Sequence, residues 1–253
     1  MSDDPNGNKP GLDRVWAALV GQGYALTSED EIGLPDGFRE YFLKTYFTDA
    51  HIRHDPGDWP QDRKRARDVI RYRWHGEDLR LEEHDTIALI DRAGIPGKRE
   101  HSRVRLLDDA QAEGFVRAIL KLVPPDRRKP TGTFGVNLFR TFTDVVTKPH
   151  HDDEELIILY VLDRKGEGAK TYLYDLPSDG ESVGGPVLRQ QLNPGDIIIF
   201  DDALFLHGAT PLEPLPDGTA MRDVLVCTID SPRTYLGDLT PEPAAAVTIG
   251  SSV

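Results

Sequence analysis

The chain's 253 residues are 38% hydrophobic and 29% charged, enough for one buried core, and a formal net charge of −13 argues against nucleic acid or an anionic membrane surface as a partner. The longest strongly apolar run, Leu156 to Leu162, is far too short to cross a bilayer. Cys227 is the only cysteine, which excludes an intrachain disulfide framework and cysteine-built zinc or iron–sulfur sites, so metal chemistry would have to use His and carboxylates.

Residues 1–11, "MSDDPNGNKPG", have neither a basic n-region nor an apolar h-region; they read as a disordered tail, and the default location is cytoplasmic. Leu12 to Val20 is a short candidate helix. After the turn signal "LPDG", Phe38, Tyr41, Phe42, Thr45 and Tyr46 recur at i, i+3, i+4, i+7 and i+8, which predicts a helix burying an aromatic stripe. The basic stretch "QDRKRARDVIRYR" fits an amphipathic strand or helix face with local affinity for small anions. In "DDAQAEGFVRAILKLVPPD" a further helix is expected, with Asp108 or Asp109 as N-cap, Phe115, Ile119 and Leu122 on one face, and Pro124 and Pro125 as its stop.

Residues 12–125 are therefore expected to be helical and mixed. From Thr133 the character changes to short apolar or alternating runs between turn residues: "TFGVNLFRTF", "LIILYVL", "AKTYLYDL", "PVLRQQL", "DIIIF" and "MRDVLVCTI". These suggest an antiparallel barrel or two-sheet sandwich over 131–236, followed by a loosely held tail at 237–253. No fixed-period repeat or interdomain linker is visible, so one mainly β domain with flanking α-helices is expected.

The stretch "TKPHHDDEELIILYVLDRK" places two His, two Asp and two Glu directly before a buried-strand pattern. Strand alternation would put His150 and Asp152 on one face and His151 and Asp153 on the other, so one His-x-Asp pair can converge on a point. Joined by a distant His, such a pair is the facial triad of mononuclear non-heme iron(II) enzymes. His207, the only His after residue 151, lies where a strand ends downstream of a Pro-Gly corner. Arg222, at the start of the strand "MRDVLVCTI", can bind a small dicarboxylate end-on with bidentate geometry. Taken singly, each has an ordinary alternative: solvated charges at a strand end, a hydrogen-bonded turn histidine, a surface ion pair.

The segments "HHD" and "PGDIIIFDDALFLHGATPLEPLPDGTAMRDVLVCTID" resemble the 2-oxoglutarate and iron(II)-dependent dioxygenases that hydroxylate free amino acids, the isoleucine-hydroxylase-like family. The resemblance is close over residues 147–230 and looser before. It implies a double-stranded β-helix (a cupin-like jelly roll), Fe(II) held by His150, Asp152 and His207, 2-oxoglutarate held by Arg222, and O2 as cosubstrate. Similar enzymes carry an Arg-rich segment upstream of the barrel, which makes Arg71 or Arg73 a candidate for the substrate carboxylate. Arg140, in "NLFRTF", is another, because alternation with Leu138 and Phe142 can turn it inward.

In the related free-lysine halogenases a small residue takes the place of Asp152, so its presence here favours hydroxylation. An acid directly after it meets the substrate ammonium there, which makes Asp153, with Glu154 and Glu155 nearby, a sign of a basic substrate such as lysine, arginine or a cyclic relative. A neutral aliphatic substrate is the alternative, as is a cupin-like metalloenzyme without 2-oxoglutarate. A non-catalytic β-barrel binding protein is the rival from another class. The sequence sets no oligomeric state.

Overall fold

The computed structural model describes residues 10–54, 62–84, 89–90, 96–97, 102–142, 148–152, 154–176 and 184–230. The chain opens with α1 (Pro10–Gln22), β1 (Tyr24–Ser28), the single turn α2 (Glu29–Ile32) and α3 (Phe38–Tyr46). Next come β2 (Arg53–His54), β3 (Arg63–His75), β4 (Asp78–Glu83), the short β5 (Leu89–Ile90) and β6 (Pro96–Gly97), then α4 (Ala110–Leu120). The rest is β: β7 (Thr131–Thr141), β8 (Leu156–Lys165), β9 (Glu167–Gly168), β10 (Thr171–Asp175), β11 (Leu188–Gln190), β12 (Asp196–Asp201), β13 (Phe205–Ala209), β14 (Leu212–Glu213) and β15 (Met221–Ile229).

An eight-stranded sheet runs β1-β12-β8-β15-β7-β3-β2, with β4 also on β3, and a three-stranded sheet runs β11-β10-β13. Among the described residues every pairing between these strands is antiparallel, for example Val226↔Asn137 between β15 and β7 and Asn137↔Arg67 between β7 and β3. The fold is mainly β with few helices, two antiparallel sheets in a double-stranded β-helix.

The large sheet is buried on both faces, which explains why "LIILYVL" does not alternate. Leu156, Ile158, Tyr160 and Leu162 of β8 pack outward with the helices, against Phe38 and Phe42 of α3 and Phe115 and Ile119 of α4. Ile157 and Val161 face inward, where Leu173 of β10 and Phe205 of β13 close the second core between the sheets.

The aromatic stripe of α3 is Phe38, Phe42 and Tyr46, all buried. Phe38 stacks on Phe115 at 5.5 Å between centroids, and Phe115 stacks on Tyr160 at 5.9 Å. Burial of each such ring contributes ~1.5–3 kcal/mol, with about 0.5–1.5 kcal/mol more per aromatic pair. Tyr41 points aside: its hydroxyl and that of Tyr46 both donate to Asp109. Asp109 is the N-cap of α4, accepting from Gln111 N at 2.8 Å and Ala112 N at 3.2 Å.

One boundary differs from the expected tail at 1–11. Pro10 and Gly11 are the first residues of α1, while 1–9 and 231–253, including the expected tail at 237–253, lie outside the described residues. In the N-terminal part, read from the sequence as helical and mixed, β1 and β3 extend the main sheet on its two sides. The stretch "RKRARDVIRYRWH" is β3, and β-branched and aromatic residues near its centre suit a strand held between β7 and β4.

Candidate metal centre

His150 and Asp152 stand on an irregular segment ahead of β8, and a two-way backbone bridge ties that segment to β13. His150 N–H donates to His207 O at 3.0 Å, and His207 N–H donates to His150 O at 2.7 Å. The bridge sets the two imidazoles side by side, with ring centroids 4.3 Å apart. Asp152 Oδ1 lies 3.8 Å from His150 Nε2, and its Oδ2 lies 3.6 Å from His207 Nε2.

Adjacent corners of an octahedron with bonds of ~2.1 Å are about 3.0 Å apart, so the two carboxylate contacts are open by less than about an ångström relative to ligands sharing one ion. One atom from each of the three residues falls within a 4.8 Å set. Two His and one carboxylate, with no fourth such ligand grouped with them among the described residues, suit a non-heme iron(II) centre.

Both rings are aimed by the nitrogen away from this point. His150 Nδ1 is 3.0 Å from Lys148 O, and His207 Nδ1 is 3.2 Å from Asp202 Oδ1. For His150, an acceptor at Nδ1 keeps the proton there and leaves the Nε2 lone pair for a metal; at His207 the carboxylate is at ion-pair distance, and Nδ1 has no hydrogen-bond partner among the described residues. The His207 ring also packs on Phe200 of β12 at 5.3 Å, which holds it against the interior between the sheets. His151, the neighbouring candidate, is exposed and is not part of the cluster.

Arg222 begins the inward-facing row of β15 that continues through Val224 and Val226. Only 8% exposed, it carries Nε and Nη2 that find no hydrogen-bond partner among the described residues. Directly across β8 stands Arg164. Burial first, and then the Arg164 charge, push Arg222 down to about 10. A buried guanidinium opposite a second cation is costly unless an anion joins them, and a fork of this shape fits a carboxylate.

Arg140 faces the other way. It shares the outward row with Leu138, and Asp223 clasps it through Arg140 Nε to Oδ1 at 2.8 Å and Nη2 to Oδ2 at 2.6 Å, beneath the Phe47 ring. Arg73 is exposed beside Thr131, and the half-buried Arg71 lies beside Thr133, both beyond the register rows of Val224 and Val226. Asp153 lies outside the described residues. Glu155 forms an ion pair with Lys129. Of the aromatic residues near the site in sequence, Tyr160 belongs to the outer core and donates its hydroxyl to Glu29.

Two features were not singled out from the sequence. Arg65 and Arg67, 8% and 6% exposed, share the inward row of β3 and sit across from Phe139 and Asn137 of β7. Arg65 Nη2 donates to Asn137 Oδ1 at 3.3 Å, and the guanidinium groups of Arg63 and Arg65 flank the Phe139 ring at 4.3 and 5.1 Å. The i, i+2 spacing of arginines in "RKRAR" carried that signal. The second feature is Asp202, fully buried in the β12–β13 turn.

A β sandwich with a His-carboxylate-His cluster at one end and a buried, anion-seeking arginine on its inner wall defines a mononuclear iron(II) oxygenase scaffold. A family profile described as 2OG-Fe dioxygenase matches residues 55–228, and the chain belongs to that family, whose members use Fe(II), 2-oxoglutarate and O2.

Among solved structures, a bsmA homolog from Methylobium petroleophilum PM1 is 20% identical with a TM-score of 0.70, over 89% of this chain and 95% of that one. The Fe(II)/α-ketoglutarate-dependent dioxygenase TqaL is 12% identical, TM-score 0.65, over 90% and 92%. IDO from Bacillus thuringiensis is 14% identical, TM-score 0.60, over 88% and 99%. At these identities the likeness is one of fold. No curated protein sequence matches the chain.

Proposed function

We propose that this dioxygenase hydroxylates an unactivated C–H bond of a free L-amino acid, with His150, Asp152 and His207 as metal ligands and Arg222 gripping the distal carboxylate of 2-oxoglutarate. The observation that carries the cosubstrate assignment is the buried Arg222 fork without an acceptor for Nε and Nη2 among the described residues. Fe(II), when bound, would activate O2, which is the four-electron oxidant: two electrons come from 2-oxoglutarate, which leaves as succinate and CO2 with one oxygen atom in the succinate, and two from the substrate C–H bond, which receives the other oxygen atom.

The chain's own residues bind and orient. Arg222 holds the keto acid by its far end, and the apolar row of Val224, Ile157, Val161 and Ile198 keeps that interior dry. Arg65 and Arg67, on the inner face of β3 beside Asn137, are well placed for a substrate carboxylate. That supports a substrate with a free carboxylate over one without.

A basic side chain on the amino acid remains the first expectation, carried by the acidic run Asp152 to Glu155. A neutral aliphatic substrate is the second reading, favoured by the Lys129 contact that already neutralises Glu155. The test is a panel of free amino acids and cyclic analogues incubated with Fe(II), ascorbate and 2-oxoglutarate, scored for succinate and for a mass gain of one oxygen. Turnover of lysine, arginine or a relative supports the first reading, and turnover confined to leucine or isoleucine supports the second. Succinate formation with none of these would overturn the amino-acid assignment.

A further inference from the structure

Asp202 sits in the tight turn between β12 and β13, where Leu204 N–H donates to Asp201 O at 3.2 Å, and it is 0% exposed. A buried carboxylate must find donors or lose several kcal/mol of hydration. Its two donors come from the arm of the metal centre that carries Asp152, and the other arm, with His207, lies at contact distance. Oδ2 accepts from the backbone N–H of Asp152 at 2.8 Å and of Glu154 at 3.0 Å; Oδ1 stands 3.2 Å from His207 Nδ1, at ion-pair distance but off the hydrogen-bond angle, and neither of these two buried atoms has a hydrogen-bond partner among the described residues. One side chain thus touches the segment carrying the carboxylate ligand and the ring of the distal histidine.

We propose that Asp202 is the positioning residue of the centre: it holds His207 in the Nδ1–H tautomer, so that Nε2 presents its lone pair, and pins the Asp152 segment at the matching height. This rests on the metal-centre reading above, and goes beyond it by assigning a role outside the three ligands. The chemistry is specific. Two backbone donors demand an acceptor at the Oδ2 position, whatever side chain stands there.

In Asp202→Asn the amide oxygen therefore stays with the two N–H groups, and the amide nitrogen faces His207 Nδ1. That nitrogen can only donate, so Nδ1 must accept and the ring proton moves to Nε2, where it blocks the metal. Asp202→Ala removes the constraint without reversing it, because water can accept from Nδ1–H. The two variants therefore separate positioning from plain structural support. A structural role makes Ala the worse substitution by every measure, whereas the tautomer role makes Asn worse for metal and Ala worse for folding.

The experiment uses the full chain. Mn(II) affinity is measured by calorimetry with 2-oxoglutarate present, thermal midpoints are measured on metal-free protein, and the His207 ring nitrogens are read by long-range 15N–1H correlation on metal-free protein above about pH 8. The expected result is Nδ1–H in the wild type and Nε2–H in Asp202→Asn. Asn is expected to weaken Mn(II) binding about 10- to 100-fold, the range for such partners of metal-bound His. Ala is expected to weaken Mn(II) binding less and to lower the thermal midpoint more.

Unchanged ring signals in Asp202→Asn with wild-type Mn(II) affinity would overturn the assignment of Asp202 while leaving the metal centre intact. Failure of the wild type itself to bind Mn(II) would overturn both. The ring signals in Asp202→Asn stand as a readout even where Asp202→Ala does not fold.

Discussion

Replacing Arg222 by Met should have two effects of opposite sign, and the pair tests the cosubstrate assignment more sharply than loss of activity. In the ligand-free protein the guanidinium is a burden. Burial, and then Arg164, lower its pKa from the ordinary guanidinium range to about 10, and at ~1.36 kcal/mol per unit this is a penalty on the order of a few kcal/mol on the charged form. Met fills similar space without charge, so Arg222→Met is expected to stabilise the ligand-free fold by about 1–3 kcal/mol after losses in packing. That corresponds to a rise of several degrees, at about 2–4 °C per kcal/mol for a domain of this size.

With 2-oxoglutarate the sign reverses. Two charge-assisted hydrogen bonds at ~1.5–3 kcal/mol each are lost, which weakens the keto acid about 100- to 1000-fold or more. Arg222→Lys should fall between, since a point charge cannot reproduce the fork. Calorimetric titration of 2-oxoglutarate into Mn(II)-loaded protein, with thermal denaturation of the metal-free protein, reads both. A less stable Arg222→Met that binds 2-oxoglutarate within about threefold of wild type would refute the reasoning.

Arg140→Ala should destabilise the fold by about 3–5 kcal/mol in denaturant titration, because it strands the fully buried Asp223 carboxylate; unchanged stability with a raised KM would instead make Arg140 a substrate contact. Arg67→Gln should raise the KM for the amino acid about 10- to 100-fold and leave the Kd for 2-oxoglutarate within about threefold, as expected for one charge-assisted contact to substrate; equal loss of both would place Arg67 on the keto acid. For Asp109, burial pushes the carboxyl up, but hydrogen bonds from Tyr41, Ala112, Gln111 and Tyr46 outweigh it and leave the group below its ordinary range. A depressed carboxyl adds stability that is present above about pH 4 and lost as pH falls through the folded value. Asp109→Asn should therefore lower the thermal midpoint at neutral pH and flatten its fall below about pH 4, and an unaltered acid profile would remove Asp109 from the acid-labile groups.

The fold was legible where periodicity is local. The α3 stripe reads from Phe38, Phe42 and Tyr46, and Asp109 reads as a cap because it precedes an amphipathic run. The corner at "NPGD" also read correctly: Gly195 adopts φ 95° there, and its N–H and C=O bind Val161 and Glu29 as β12 begins. Less legible was the fate of residues 24–28 and 63–75. Their pairing with β12 and β7 joins segments far apart in sequence, and no local pattern carries the identity of such a partner.

In the site, residue types and order identified His150, Asp152 and His207 as one cluster, yet the expected reason for their convergence was incomplete. They meet through a bridge between a non-strand segment and β13, not through alternation along one strand. Alternation did decide the arginines, but only relative to a known origin. Register rows from Arg222 through Thr141 to Arg63 show which parity faces the interior. By that parity Arg140 turns out to Asp223, while Arg65 and Arg67 turn in. A count of charges along the chain cannot distinguish these, because a one-residue shift exchanges the two faces of a strand. The inward arginines and the buried Asp202 share one physical signature: charge kept where water is excluded, which a fold retains only when ligand, metal or partner groups return what burial removes.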